Sequence, residues 1–211
     1  MTEIEQHQAV KDAVAAAVKS ETDVHQQVKA ITLKALTTRQ LDMDNIKNVT
    51  EAVGQGINEG MATEGEHAKA VFTQAATALD DALAIAAEAS KLAIEEAASK
   101  VADYSQHDLN DAIKDLQDRE GLFLDTLAKI AQGGNQVMAD IISDFIAHTG
   151  QSGTAVGKQT LAALNALKDL PQISKNIIVS SAVATTSTLA QIGSGLLLGI
   201  AESLQSPHSK K

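Results

Sequence analysis

EHAKAVFTQAATALDDALAIAAEASKLAIEEAASKVADY, residues 66–104, runs for 39 residues without Gly or Pro. Phe72, Ala76, Leu79, Leu83, Ala86, Ala93, Ala97 and Val101 recur every three or four residues. Val71, Ala75, Ala78, Ala82, Ile85, Ala89 and Leu92 form a neighbouring stripe. Those intervals match the 3.6-residue turn of an α-helix and predict one continuous helix. Asp80, Ala84, Glu88, Lys91 and Glu95 fall on the remaining side. Lys91 lies at pairing distance from both Glu88 and Glu95 on such a surface. At about 1.5 Å per residue the helix would be a rod on the order of 55 Å long. Its apolar face is wide but shallow, since alanines allow close backbone approach and bury little area each.

The composition agrees with a helical chain. The sequence has 211 residues, of which 36 are Ala, two Pro, one Tyr, three Phe, and none Cys or Trp. Hydrophobic residues make up 44%, but without the alanines only about a quarter of the chain is large and apolar, less than in an ordinary soluble domain. Lacking Cys, the chain has no disulfide, thiolate metal site or cysteine nucleophile. The scarcity of aromatics argues against base stacking. A net charge of −10 argues against a binder of phosphate backbones. No nucleic-acid partner is expected.

N-terminal to the long helix, Ile4, Val10, Val14, Ala17 and Val18 predict a helix over 3–19. Ser20-Glu-Thr-Asp23 resembles a cap for a second helix carrying Val24, Val28, Ile31, Ala35 and Leu36. Asp42 and Asp44 are candidate caps for a third, shorter helix through Ile46, Val49 and Val53, and Gly54, Gly56, Gly60 and Gly65 then read as a break. C-terminal to the long helix, Ser105–Asp108 suggests a cap before a helix through Leu109, Leu116, Phe123 and Ile130, with Gly133-Gly134 ending it. A short helix around Ile141 and Phe145 follows. Gly150–Gly157 reads as a flexible linker, and Lys158–Leu170 as a helix stopped by Pro171. The chain therefore divides into an N-terminal helical region (1–60), the long helix with returning helices (61–149), and a linker, helix and uncharged segment (150–211). The expected fold class is all-α, an elongated helical bundle built on the central helix, with a weakly apolar C-terminal helical segment.

That last segment differs in kind. Residues 176–201 carry no charge over 26 positions, long enough to span a bilayer but borderline in hydropathy. Gly195-x-x-x-Gly199 is a spacing that allows close helix packing. Three readings follow: a helix buried in the bundle, a segment lying on a membrane or lipid-like surface, and a spanning helix. Ile177, Ile178, Val179, Leu189, Ile192, Leu196, Leu197, Leu198 and Ile200 form the candidate set for contact with a hydrophobic surface.

Catalytic motifs are absent. A phosphate-binding loop ending in Gly157-Lys158 would need Gly at 152 and Ser or Thr at 159, where Ser152 and Gln159 stand; no nucleotide is expected. Glu64-x-x-His67 matches one element of a di-iron bundle, which needs a second copy and two further Glu residues. The six His residues are scattered, four of them following an acid by four residues, and read as surface positions. No catalytic residue, metal or cofactor is expected. The start, Met-Thr-Glu-Ile-Glu-Gln, lacks a charged-then-apolar signal pattern, so a cytoplasmic protein, peripheral on a granule or membrane, is the expectation. The polar end, Ser206–Lys211, reads as a frayed tail.

The Ala-rich, Cys-free, acidic pattern with a long helix and weakly apolar tail, over roughly 66–204, resembles phasins, helical proteins that coat bacterial polyester granules. The resemblance implies a non-enzymatic role on a hydrophobic granule or membrane surface and a homo-oligomer, and transfers no residue role. Val28-Lys-Ala-Ile-Thr-Leu-Lys-Ala-Leu36 and Gly153-Thr-Ala-Val-Gly-Lys158 are similar to an uncharacterised Ala-rich bacterial family, which suggests a bacterial source. Fewer aromatics and a less charged tail than in a granule coat leave two alternatives. One is an α-helical pore-forming protein whose 176–201 stretch is hidden until insertion. The other is a soluble oligomeric scaffold.

Overall fold

The computed structural model describes residues 2–20, 22–61, 66–99, 106–134, 136–168 and 186–205. Among these residues there are nine helices and no strand, as an all-α bundle requires. In chain order they are α1 (Glu3–Ser20), α2 (Val24–Thr37), α3 (Met43–Gly60), α4 (Glu66–Ser99), α5 (Gln106–Gln117), α6 (Arg119–Gly133), α7 (Gln136–Ser152), α8 (Ala155–Lys168) and α9 (Thr186–Gln205).

The central helix α4 organises the rest. Thirteen of its 34 residues are Ala, and the described residues of both predicted stripes are buried except Ile85 and Leu92, which are half-buried; Val101 lies outside the described residues, and Asp80, expected on the remaining side, is buried too. Phe72, Ala75, Ala76, Ala78, Leu79, Ala82, Leu83, Ala86 and Ala89 are fully enclosed. Small side chains on two adjacent faces let α2, α8 and α9 all pack against it. The area that the alanines cannot supply comes from larger partners: Leu36, Phe123, Leu127 and Ile142 are each fully buried, worth on the order of 1.5–3 kcal/mol apiece. Phe72 meets Phe145 of α7 edge-on, ring centres 5.8 Å apart at 88°. Lys91 lies 3.3 Å from Glu88 and 3.8 Å from Glu95, the two predicted surface pairs. One apolar cluster runs from Val10 to Ala201, so residues from all three sequence segments meet in it.

Several local expectations need correction. Three of the glycines read as a break, Gly54, Gly56 and Gly60, lie inside α3, which continues to Gly60, and Gly65 lies outside the described residues. Gly54 faces Thr126 of α6, and Gly56 and Gly60 are there because α1 packs closely on α3. A Cβ at Gly56 would lie 2.6 Å from the Lys11 carbonyl oxygen, and one at Gly60 would lie 2.6 Å from the Val18 Cβ. Asp42 caps α3 by accepting the Asn45 N–H at 2.8 Å. Asp23 occupies the N-cap of α2 in a left-handed conformation (φ 46°) without a side-chain cap bond. Ile4, expected on the apolar stripe of α1, is 82% exposed. The single helix expected over 109–130 is two, α5 and α6, divided at Asp118. The expected flexible linker at 150–157 is a tight connection: α7 ends at Ser152, Gly153 takes φ +76°, and α8 begins at Ala155.

Candidate functional site

The α7–α8 connection carries the most polar cluster in the interior. Asp80, on the enclosed side of α4 and 5% exposed, accepts the Ala155 N–H at 2.7 Å and the Val156 N–H at 2.8 Å. Thr154 donates its hydroxyl to Glu120 at 2.6 Å and accepts the Gly157 N–H at 2.9 Å. A Cβ at Gly157 would overlap the Glu120 carboxylate, so any larger residue there would displace that carboxylate. Burial pushes the Asp80 carboxyl above its ordinary range; the two backbone N–H bonds oppose that shift, and the nearby Asp81 and Glu120 add to it. The segment that resembles a phosphate loop therefore points its free N–H groups at the chain's own carboxylates, and the helix dipole stabilises them there.

Histidines expected at the surface reach across the bundle. The His7 ring nitrogens lie 2.6 Å from Asn48 Oδ1 and 3.1 Å from Gln55 Oε1 on α3. His25 Nε2 lies 3.0 Å from Asp81 on α4. Glu64 lies outside the described residues, and among those described no group of three His, Cys, Asp or Glu side chains is placed to hold a metal.

The uncharged C-terminal segment is described from Thr186 onward as α9. Leu189, Ala190, Gly193, Leu197 and Ala201 face inward and are buried, at the four-residue repeat of one helix face. Gly193 is the closest approach: a Cβ there would lie 3.3 Å from Leu41 Cδ2 and 3.9 Å from the Ala93 Cβ. The polar attachment is small. The Leu41 N–H donates to Ser194 Oγ at 2.8 Å, with the Ala190 carbonyl at 3.2 Å. The Ser194 hydroxyl also lies 3.1 Å from the Arg39 carbonyl.

The predicted contact set is thus divided. Leu189 and Leu197 are 4% and 0% exposed and belong to the bundle's interior. Ile192, Leu196 and Ile200 are half-buried along the edges. Leu198 is exposed, and so is Leu204, which the sequence reading omitted. Ile177, Ile178 and Val179 lie outside the described residues. Between Leu198 and the neighbouring turns, Gly195 and Gly199 face open space. A groove of about 630 Å³ runs beside them between α4 and α9, lined by Leu92, Glu95, Ile192 and Leu196 among others.

Beneath the first turns of α9 lies Arg119, the first residue of α6, only 2% exposed. Its Nη2 donates to Ser90 Oγ at 2.6 Å; no protein atom accepts from Nε or Nη1. Burial lowers its pKa to about 10, against the pull of Asp115. A cavity of about 30 Å³ adjoins it, bounded by Leu41, Asp42, Ser90, Asp115, Leu189 and Ala190. Sequence reasoning missed Arg119 because nothing in Asp118-Arg119-Glu120 marks it as interior.

By length and composition, His67–Ser99 is the one candidate membrane span among the described residues. It is also the bundle's core helix. The apolar run of α9, Leu189–Leu204, is shorter than a span requires.

These features define an all-α bundle with a helix, α9, on its flank that carries no charge before Glu202. The model of a family described as "Family of unknown function (DUF6781)" matches residues 1–206, and the chain belongs to that family. No curated protein and no solved structure matches it.

Proposed function

We propose that this protein is a non-enzymatic structural protein that associates with a hydrophobic surface, a storage granule or a membrane, through α9, in the manner of phasins. The observation that carries this reading is that α9 has no charged residue before Glu202 while Leu198 and Leu204 are 46% and 58% exposed. An uncharged helix transfers to an apolar interface without desolvating an ion. Replacing Leu198 and Leu204 together by Asp leaves the core intact, because neither residue is in it. The double variant should keep its helicity and lose co-sedimentation with liposomes and polyester particles. Co-sedimentation equal to that of the parent chain sinks the proposal. Dye release from the vesicles would point instead to insertion as a pore.

A second reading, a soluble scaffold assembling copies of the chain, is favoured by one observation. Gly195 and Gly199 are open at the spacing that lets another helix approach closely.

A further inference from the structure

We propose that α9 is a detachable element, and that its buried face, exposed when the helix lifts from the bundle, is the surface that meets a lipid–water interface. The inference rests on the surface-association reading above and adds which face acts.

The first argument is area. On the docked helix the exposed apolar side chains are Leu198 and Leu204, and Gly195 and Gly199 beside Leu198 have no side chain to contribute. The inner face holds Leu189, Leu197 and Ala201, and the half-buried Ile192, Leu196 and Ile200 flank it. Apolar transfer scales with area, so most of what α9 can give an interface is directed inward. Only a released helix presents both faces.

The second argument is the seat. A fully buried guanidinium with two nitrogens unmatched by protein acceptors is a poor surface to dock on. It sits under Leu189 and Ala190, beside a small cavity, and separation of α9 would open it to solvent. Among the described residues, the 39–41 loop meets α9 through the Ser194 hydroxyl and through the Leu41 N–H, which donates to Ser194 Oγ and the Ala190 carbonyl. The released segment carries no charge from Thr186 to Ala201, so its transfer to an interface desolvates no ion. The chain's net charge of −10 favours a zwitterionic interface over an anionic one.

The absence of cysteine in the sequence makes the test clean. Ala93→Cys with Gly193→Cys brings two Cβ atoms about 3.9 Å apart, within the span of a disulfide, and ties α9 to α4. Full-length chain is mixed with phosphatidylcholine vesicles in oxidised and reduced forms. Locked protein should bind at least about tenfold more weakly than the same protein reduced, and the reduced form should bind like the parent. Equal binding by the two forms overturns the inference and leaves the surface reading standing on the outer face. Failure of the parent chain to bind any vesicle sinks the surface reading. Amide exchange then decides the release: α9 amides should exchange at least about tenfold faster than those of α4, and slow down when locked. Equal protection overturns it. Arg119→Met, which removes the ill-matched cation, should slow exchange in α9 alone; unchanged exchange counts against the seat. If the first pair does not fold, Leu41→Cys with Gly193→Cys, Cβ atoms 3.7 Å apart, serves the same purpose.

Discussion

Gly56→Ala is the most direct probe of how this bundle is held together. Glycine in a helix interior ordinarily costs about 1 kcal/mol relative to alanine, so on propensity alone the substitution stabilises. The geometry reverses the sign. The new Cβ would stand 2.6 Å from the Lys11 carbonyl oxygen and 2.8 Å from the Val14 Cβ. Ordinary contact begins near 3.4 Å, so α1 must retreat by about 0.8 Å. A backbone carbonyl cannot rotate away as a side-chain tip can. Tilting α1 is restricted as well, because the helices stay close one turn along, where a Cβ at Gly60 would lie 2.6 Å from the Val18 Cβ. Overpacking of this kind costs about 1–3 kcal/mol; after the propensity gain of about 1 kcal/mol, a net loss of up to about 2 kcal/mol remains. For a chain of this size that lowers Tm by up to roughly 8 °C. Gly150→Ala is the matched control: its Cβ would meet nothing within 4 Å, and it should stabilise by about 0.5–1 kcal/mol. Urea denaturation followed by circular dichroism measures both. If Gly56→Ala gains as much stability as Gly150→Ala, the close packing of α1 on α3 is refuted.

Two further outcomes follow from single features. Asp80→Ala leaves two buried N–H groups without an acceptor and should cost about 1–3 kcal/mol in urea denaturation. Because burial holds the Asp80 carboxyl above its unfolded value, its favourable contribution is complete below the unfolded pKa and is lost as pH rises through the folded one. The stability of the parent minus that of Asp80→Asn should therefore grow on acidification into the carboxylate range; a gap independent of pH contradicts the shift. Gly195→Ala with Gly199→Ala adds side chains into open space and should raise helix stability by about 1 kcal/mol per site. If copies associate through that face, sedimentation equilibrium will show the assembly weakened; unchanged assembly removes the second reading.

Much of the fold was legible because α4 is long and uninterrupted. Its two stripes named most of the buried residues, though not Ala87, Ile94 or Asp80, and its charged side named the Lys91 pairs. What was not legible depends on neighbours distant in sequence. Ile4 has the right spacing to join α1's buried face, yet its side chain is left exposed, while Gln6 in the same turn is buried and donates to the Ala35 carbonyl. Arg119 carries a charge that sequence reading places outside, but the division between α5 and α6 directs it toward Ser90, 29 positions earlier. The Gly150–Gly157 stretch reads as flexible by composition, whereas Asp80, 75 residues away from Ala155, fixes its N–H groups.

The glycines make the same point about the candidate site. Gly56 and Gly60 share the four-residue spacing of Gly195 and Gly199. The first pair is filled by α1, and the second faces solvent. Spacing alone could not separate them, since it reports only that one face of a helix is narrow. The flanking residues do not separate them either: Ile57 and Val53 surround the first pair, Leu196 and Leu198 the second. What distinguishes them is the supply of a partner. Val14 and Val18 recur at the same four-residue interval on a helix whose other contacts leave that face free to meet α3. No described helix is so placed against Gly195 and Gly199. An apolar helix with an open narrow face has its own inward leucines as its largest unspent apolar surface, and that is why the locked disulfide, rather than any substitution on the outer face, decides how α9 acts.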